Sequence, residues 1–317
     1  MEIARGVVIG LGTLSALRAG MTAPRQVLPG ATYLVTRRCA QRQLLLRPSR
    51  GTNETFLFVL ALAAKRFAVR VHAFCVLSNH VHLVVTDPDA RLPAFLQLLD
   101  ALVARAVNAS LGRWEAFWAP DTYSAVRLES PGDIVDKTAY TLANPVAAGL
   151  VPTGSAWPGL WSAPESIGAE PLRARRPKHF FDPKGGLPES IALPLTVPPG
   201  FESAELFRDE LVRALEARED VERCRRRGRG GFLGVRRVLA QKPTARPAAG
   251  EPRRVLNPRI AARDKWRRIE ALGRLVEFLH GYRAAWAARC AGEPDVVFPR
   301  GTYLMRAVHG VACAESG

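Results

Sequence analysis

Two apolar runs, RVHAFCVL from Arg70 to Leu77 and HVHLVVT from His80 to Thr86, are separated by only Ser78 and Asn79. Runs of that length, rich in branched and aromatic residues and joined by a short polar turn, predict two adjacent strands. The flanking sequence supplies the rest of the fold. ATYLVTRRC, from Ala31, alternates as a strand, and NETFLFVLALAAKRF is long and apolar enough for a helix with Asn53 as its expected N-cap. After the strand pair, Leu92, Phe95, Leu96, Leu99, Leu102 and Val103 recur at helical spacing within 92–111. A short strand near TYSAVRL and a helix over 131–147 follow. The order β-α-β-β-α-β-α predicts an α+β protein: a ferredoxin-like antiparallel sheet of four strands with helices on one face, and one helix appended.

Within the second strand of the pair, His80 and His82 are two residues apart and so share a face, while Val81 and Leu83 point the other way. Taken alone, H-x-H in a strand is usually a pair of hydrogen-bonded or half-exposed histidines. The segment DKTAYTLANPVAAGLV, Asp136 to Val151, changes its weight. Tyr140 and Asn144 are four apart and share one helical face, and Pro145 predicts that the helix stops near Asn144. Packed beside the histidine strand, this helix would bring the Asn144 oxygen to the two imidazoles and the Tyr140 hydroxyl beside them, giving a two-His-one-Asn metal site. A phenol, with an ordinary pKa of about 10, is a weak nucleophile at neutral pH, and a divalent ion offsets this by polarising a phosphoryl oxygen. The combination suits phosphodiester chemistry in which a phosphotyrosine link conserves the energy of the broken bond.

Other residues fit this chemistry less well. His72 alternates with Phe74 and Val76 and reads as a sheet residue; His179, His280 and His309 have no companions. Tyr123 precedes a strand and lacks a partner four residues on. Trp114, Phe117 and Trp118 are read as core aromatics before base-stacking ones. Arg37 and Arg38 lie on the first strand, where alternation lets only one of them face the histidines and a phosphate.

Charge bears on the partner. The chain carries a formal +16, and between Glu222 and Arg268 sixteen basic residues stand against three acidic ones. With the glycines of RRRGRGGFLGVRR, that run predicts a phosphate-binding surface that includes Arg225, Arg226, Arg227, Arg236 and Arg237. Five scattered cysteines without a C-x-x-C pair fit a reducing cytoplasm and exclude a zinc knuckle. No uninterrupted apolar run reaches the roughly 18 residues needed to span a bilayer, so no membrane partner is expected. The chain divides into a leader at 1–29, with Met21 as a better start; a catalytic domain at 30–161; a Pro/Gly-rich linker at 162–202; and a basic, mainly helical region at 203–317. Ser203 to Arg226 and Asp264 to Cys290 are its expected helices, the latter with an apolar stripe from Trp266 to Leu279.

NHVHL with a downstream Y-x-x-x-N-P-V-x-x-G-L-V resembles the single-tyrosine (Y1) HUH transposases, particularly the IS200-like group and its relatives associated with repetitive extragenic palindromes (REP). GATYLVTRR and EAFW agree with it, and the resemblance covers Gly30 to Trp161. It implies that His80 and His82 are metal ligands for Mg2+ or Mn2+ and that Tyr140 is the nucleophile. It makes Asn144 the third ligand, where the best-known members have a glutamine. It further implies a cytoplasmic bacterial enzyme for DNA nicking and strand transfer. Its substrate would be single-stranded or hairpin DNA, including palindromic repeats, cut to a 5′-phosphotyrosine and a free 3′-OH. Monomer and homodimer both stay open, as do a non-catalytic nucleic-acid binder on the same fold and a hydrolase that uses H-x-H and water.

Overall fold

A computed structural model describes residues 23–120, 123–228, 230–247 and 258–314. Most of the expected leader, and Arg229, Arg253 and Arg254 of the basic run, lie outside these residues. The chain forms β1 (Ala31–Arg38), α1 (Arg50–Phe67), β2 (Arg70–Val76), β3 (His80–Asp87), α2 (Leu92–Ser110), β4 (Ser124–Leu128) and α3 (Pro131–Ala147). Beyond them come β5 (Leu172–Arg175), β6 (Ser190–Leu193), α4 (Ala204–Arg226), α5 (Val235–Ala240), β7 (Ile260–Ala261), α6 (Lys265–Cys290) and α7 (Leu304–His309).

The sheet runs β2-β3-β1-β4, with each neighbouring pair antiparallel, which is the ferredoxin-like order. A fifth, two-residue strand, β7, joins β4 in parallel. Alternation sorts the side chains into two layers. Val35, Val81 and Leu83 face Phe56 of α1 and Leu96 and Leu99 of α2, closing one side with an apolar core. Thr36, His80 and His82 point to the other side, where α3 crosses β2 and β3. By length and composition α2 could cross a bilayer. In this fold its Leu92, Phe95, Leu96, Leu99 and Val103 are buried.

Polar caps set the helix starts. The N-cap of α1 is Ser49, whose Oγ accepts from Thr52 N at 3.1 Å, not the expected Asn53. Asn53 lies within the first turn and donates from Nδ2 to Pro158 O (3.1 Å). Asp87, the last residue of β3, holds the start of α2 by accepting from Arg91 N (2.8 Å) and Leu92 N (2.7 Å). Ser130 caps α3 through Asp133 N. The expected stop of α3 at Asn144 is overrun by one turn: Pro145 sits inside the helix, which ends at Ala147. The ring lies close enough to the end that the lost N–H falls in the last turn, and Ala148 N and Leu150 N still bond to Asn144 O and Pro145 O.

The segment 162–202, expected as a linker, carries the antiparallel pair β5–β6, which packs on α1. Phe74 N donates to Ser162 Oγ at 2.8 Å and Thr196 N to Val71 O at 2.9 Å, so this segment is tied to the β2 edge. Downstream, α4 folds back along α3, burying Phe207, Leu211 and Leu215. Val238 of α5 joins Cys75, Leu77, Val151 and Trp157 in a small apolar cluster. By contacts the chain forms two compact units, Leu28–Leu272 and a smaller one from Gly273 onward with the described residues before Leu28. In the smaller unit Ala285, Phe298, Met305 and Val311 form the core, and Gln26 pairs with Thr302. Trp266, Ile269, Leu272 and Val276 of α6 remain exposed.

Candidate active site

The two histidines are presented by β3, and their placement begins with the turn before it. Leu77 N donates to His80 O (2.9 Å), Leu46 N to Ser78 O (2.8 Å) and Cys39 N to Asn79 O (2.8 Å), so the Ser78–Asn79 turn is fixed against the chain that follows β1. In register, His80 lies opposite Arg38 and His82 opposite Thr36 on β1. The two imidazoles meet edge to face with centroids 4.9 Å apart. From the far side α3 brings Tyr140, whose ring centroid is 5.4 Å from that of His82, and Asn144, whose side-chain amide lies close enough to His80 to act on its titration. Strand and helix therefore converge as the i, i+2 and i, i+4 spacings require.

Hydrogen bonds orient each ring. Asn79 Oδ1, an acceptor, takes the Nδ1–H of His80 at 2.7 Å, and Thr36 Oγ1 lies 2.9 Å from Nδ1 of His82. Each Nδ1 is thus held by an oxygen, which turns the Nε2 edges toward the shared site. Burial drives the His80 pKa down to about 4 from an ordinary 6.5, with the positive charge of Arg38 adding to the effect and the nearby side chain of Asn144 opposing it. The His82 pKa is likewise lowered well below the ordinary value, first by burial and then by His80 and Arg38. Both rings are neutral at physiological pH, the protonation state a metal ligand needs.

Asn144 is 8% exposed and donates from Nδ2 to Tyr140 O at 3.1 Å, so the two residues share one turn of backbone. Tyr140 is 39% exposed, against 3% for His82, which leaves the tyrosine the more accessible of the two. Among the described residues no three of His, Cys, Asp and Glu form a metal-binding cluster. The donor set offered is two neutral imidazoles and an amide oxygen, with the ring tautomer of His80 fixed from behind; two nitrogens and one oxygen leave positions open for water and phosphate oxygens, a set that could hold a divalent ion such as Mn2+.

The arginines divide as strand alternation demands. Arg38 shares the histidine face and is exposed. Arg37 points to the helix-covered face, where it pairs with Asp100 (2.9 Å), donates to Ala119 O (3.1 Å) and lies over Trp118 (5.5 Å to the ring centroid). It is therefore part of the packing on that face, and Arg38 is the one of the pair that shares the histidine face. Arg226, half-buried, donates from Nη2 to Ala147 O at the end of α3. Arg225 pairs with Glu222 at 2.7 Å and is largely exposed, and Arg227, Arg236 and Arg237 are exposed. Of the aromatics, Phe117 is buried, Trp118 donates from Nε1 to Asp100 O (2.9 Å), and Trp114 is 88% exposed, so core packing accounts for only two of the three.

His72 occupies the other end of the same sheet. Its Nδ1–H donates to Thr196 O (2.7 Å) and its Nε2 accepts from Thr86 Oγ1 (2.7 Å), which in turn accepts from Thr32 Oγ1 (2.7 Å). Both ring nitrogens are occupied, in agreement with a structural role. Thr36 and Asn79 join the site through pairing and turn geometry that sequence spacing alone does not reveal. The alternation of β1 gives a weak signal for Thr36, and the N of NHVHL gives one for Asn79.

No family model matches the chain, and no curated protein matches it in sequence. Among solved structures, a REP-associated tyrosine transposase bound to a REP hairpin is similar over 44% of this chain and 81% of its own, with 19% identity and a TM-score of 0.38. A protein of Deinococcus radiodurans R1, assigned provisionally as a transposase, is similar over 33% of this chain and 85% of its own, with 18% identity and a TM-score of 0.27.

Proposed function

We propose that the chain is a metal-dependent, single-tyrosine DNA nicking and strand-transfer enzyme of the transposase type. The carrying observation is the convergence of His80, His82, Tyr140 and Asn144 from one strand and one helix. In the proposed step the Tyr140 hydroxyl gives up its proton to solvent as its oxygen bonds to phosphorus, the bond to the 3′ oxygen breaks, that oxygen takes a proton from solvent, and the products are a 5′-phosphotyrosine and a free 3′-OH. Reversal with another 3′-OH would rejoin DNA without ATP. His80, His82 and Asn144 would hold Mg2+ or Mn2+, which when bound neutralises charge on the scissile phosphate and orients it. Thr36 and Asn79 keep the rings turned toward that position.

The exposed Arg38 would meet the phosphate beside the histidines, and Arg225, Arg227, Arg236 and Arg237 would hold DNA backbone farther along. Readout of base edges by these arginines is not required, since phosphate contacts position DNA without reading sequence. Labelled single-stranded and hairpin oligonucleotides incubated with the protein and Mn2+ should give a covalent adduct resistant to denaturation. Tyr140→Phe should give none. An adduct that persists in Tyr140→Phe removes Tyr140 from the role, and tight binding without any adduct identifies a non-catalytic binder on the same fold.

A further inference from the structure

Arg226 is the last residue of α4, and its guanidinium turns back onto the end of α3. It donates to Ala147 O at 2.7 Å, in the final turn of α3, and lies 5.9 Å from the ring centroid of Phe232. Gly149, with φ of +72°, makes room for it: a Cβ at that position would collide with the guanidinium. The chain beyond α4 then pairs with the same turn, Leu233 N donating to Gly149 O (2.9 Å) and Gly234 N to Leu150 O (2.8 Å). A cation at this end also meets the negative pole of the α3 dipole. Farther up, Arg218 pairs with Asp136. Arg218 and Arg226 therefore brace α3 on either side of Tyr140, at Asp136 and at Ala147.

That brace bears on the site because Asn144 lies in the turn that Arg226 closes. Asn144 O accepts from Ala148 N (2.9 Å), and the Asn144 side chain donates to Tyr140 O (3.1 Å). A shift of the closing turn is thus passed to both residues. We propose that Arg226, seated against Gly149, is a positioning residue that sets Tyr140 and Asn144 against His80 and His82. The reacting roles of Tyr140 and Asn144 rest on the function proposed above; the seat and its effect on their position do not. The basic run then has two duties: Arg225 and Arg227 face outward, and Arg226 between them fixes the tyrosine helix.

The test uses full-length protein labelled with 3-fluorotyrosine, in which one of five tyrosine signals is assigned to Tyr140 by its loss in Tyr140→Phe. Arg226→Ala and Gly149→Ala unseat the guanidinium from opposite sides, and each is expected to move the Tyr140 resonance while that of Tyr33, buried in β1, stays in place. Arg226→Lys keeps a donor for Ala147 O and should move it less. With saturating oligonucleotide and Mn2+, the single-turnover adduct rate of Arg226→Ala should fall about tenfold or more, as a displaced reacting group requires. DNA affinity should change by less than about threefold, since at most one phosphate contact is removed. An unmoved Tyr140 resonance in Arg226→Ala overturns the proposal, as does a loss of affinity as large as the loss of rate, which would make Arg226 a phosphate contact. If wild-type protein forms no adduct, the proposed function fails, and the resonance still decides the positioning. Should Gly149→Ala not fold, the Arg226 pair suffices.

Discussion

His72, near the start of β2, and His82, on β3, are both buried and both held neutral, but their surroundings differ in one respect. His72 has each ring nitrogen committed, to Thr196 O and to Thr86 Oγ1. His82 has Nδ1 held by Thr36 and its other edge turned toward His80 and Tyr140. Burial and a lowered pKa are therefore common to a structural and a candidate reactive histidine, and neither property separates them. The separating observation is whether the second nitrogen has a partner within the fold.

The largest effect that can break this comparison is on the reaction. His80→Ala or His82→Ala should reduce the adduct rate about a thousandfold or more, the several kcal/mol expected from losing a metal ligand. Stability should not fall by a comparable amount. A variant of either histidine that still forms adduct at near the wild-type rate would put His80 and His82 in the same class as His72.

The converse prediction concerns stability. His72 has its pKa lowered to about 4, chiefly by burial, whereas in the unfolded chain it titrates near 6.5. Between those values the unfolded chain binds a proton that the fold refuses. Stability contributed above pH 6.5 is thus lost as the pH falls toward 4, by up to about 3 kcal/mol for this group. Denaturant unfolding at pH 7.5 and 4.5 should show a smaller loss for His72→Gln than for wild type, with adduct formation at neutral pH retained. Equal losses in the two proteins would assign the pH dependence elsewhere.

Next in size are the groups behind the rings. Thr36→Val and Asn79→Ala each remove an oxygen from an Nδ1 and should weaken Mn2+ affinity about tenfold to a hundredfold, the range seen for supports of metal-bound histidine. Isothermal titration with Mn2+ alone reads this without DNA. Unchanged affinity in both variants would mean that ring orientation comes from packing.

The parts of this site that depend on local periodicity were legible in the sequence: H-V-H on a strand, Tyr140 and Asn144 on one helical face, and the order of strands and helices up to α3. What escaped depends on register and docking. Thr36 becomes a partner of His82 only when β1 pairs with β3, 46 residues away in the chain but adjacent in the sheet. The strands β5 and β6 are short and set among prolines and glycines, and they are held by α1 and the β2 edge more than by their own propensity. Asn53 has the residue type of an N-cap, but Ser49 comes first and its hydroxyl captures Thr52 N. Arg226 reads as one charge in a basic run, and only the return of α4 along α3 gives it a carbonyl to meet.

Arg37 and Arg38 reduce the comparison to neighbouring residues, and here the expected effects are smallest. They have the same side chain on the same strand, separated by one step of the pleat. Arg37 is committed to Asp100, whose carboxyl burial raises to a pKa of about 6 against the opposing pull of Arg37 itself. Arg37→Ala should therefore destabilise the fold by roughly 1–3 kcal/mol, the cost of leaving a buried polar group unpaired, with little change in DNA affinity. Arg38→Ala should leave stability within about 0.5 kcal/mol, as for an exposed side chain. It should weaken DNA binding a few-fold and flatten the salt dependence of log K by about 0.7, the contribution of one phosphate contact on a single strand. Fluorescence anisotropy across a salt series separates the outcomes. If Arg37→Ala changes the slope and Arg38→Ala does not, DNA binds to the helix-covered face and the histidine face has a different role.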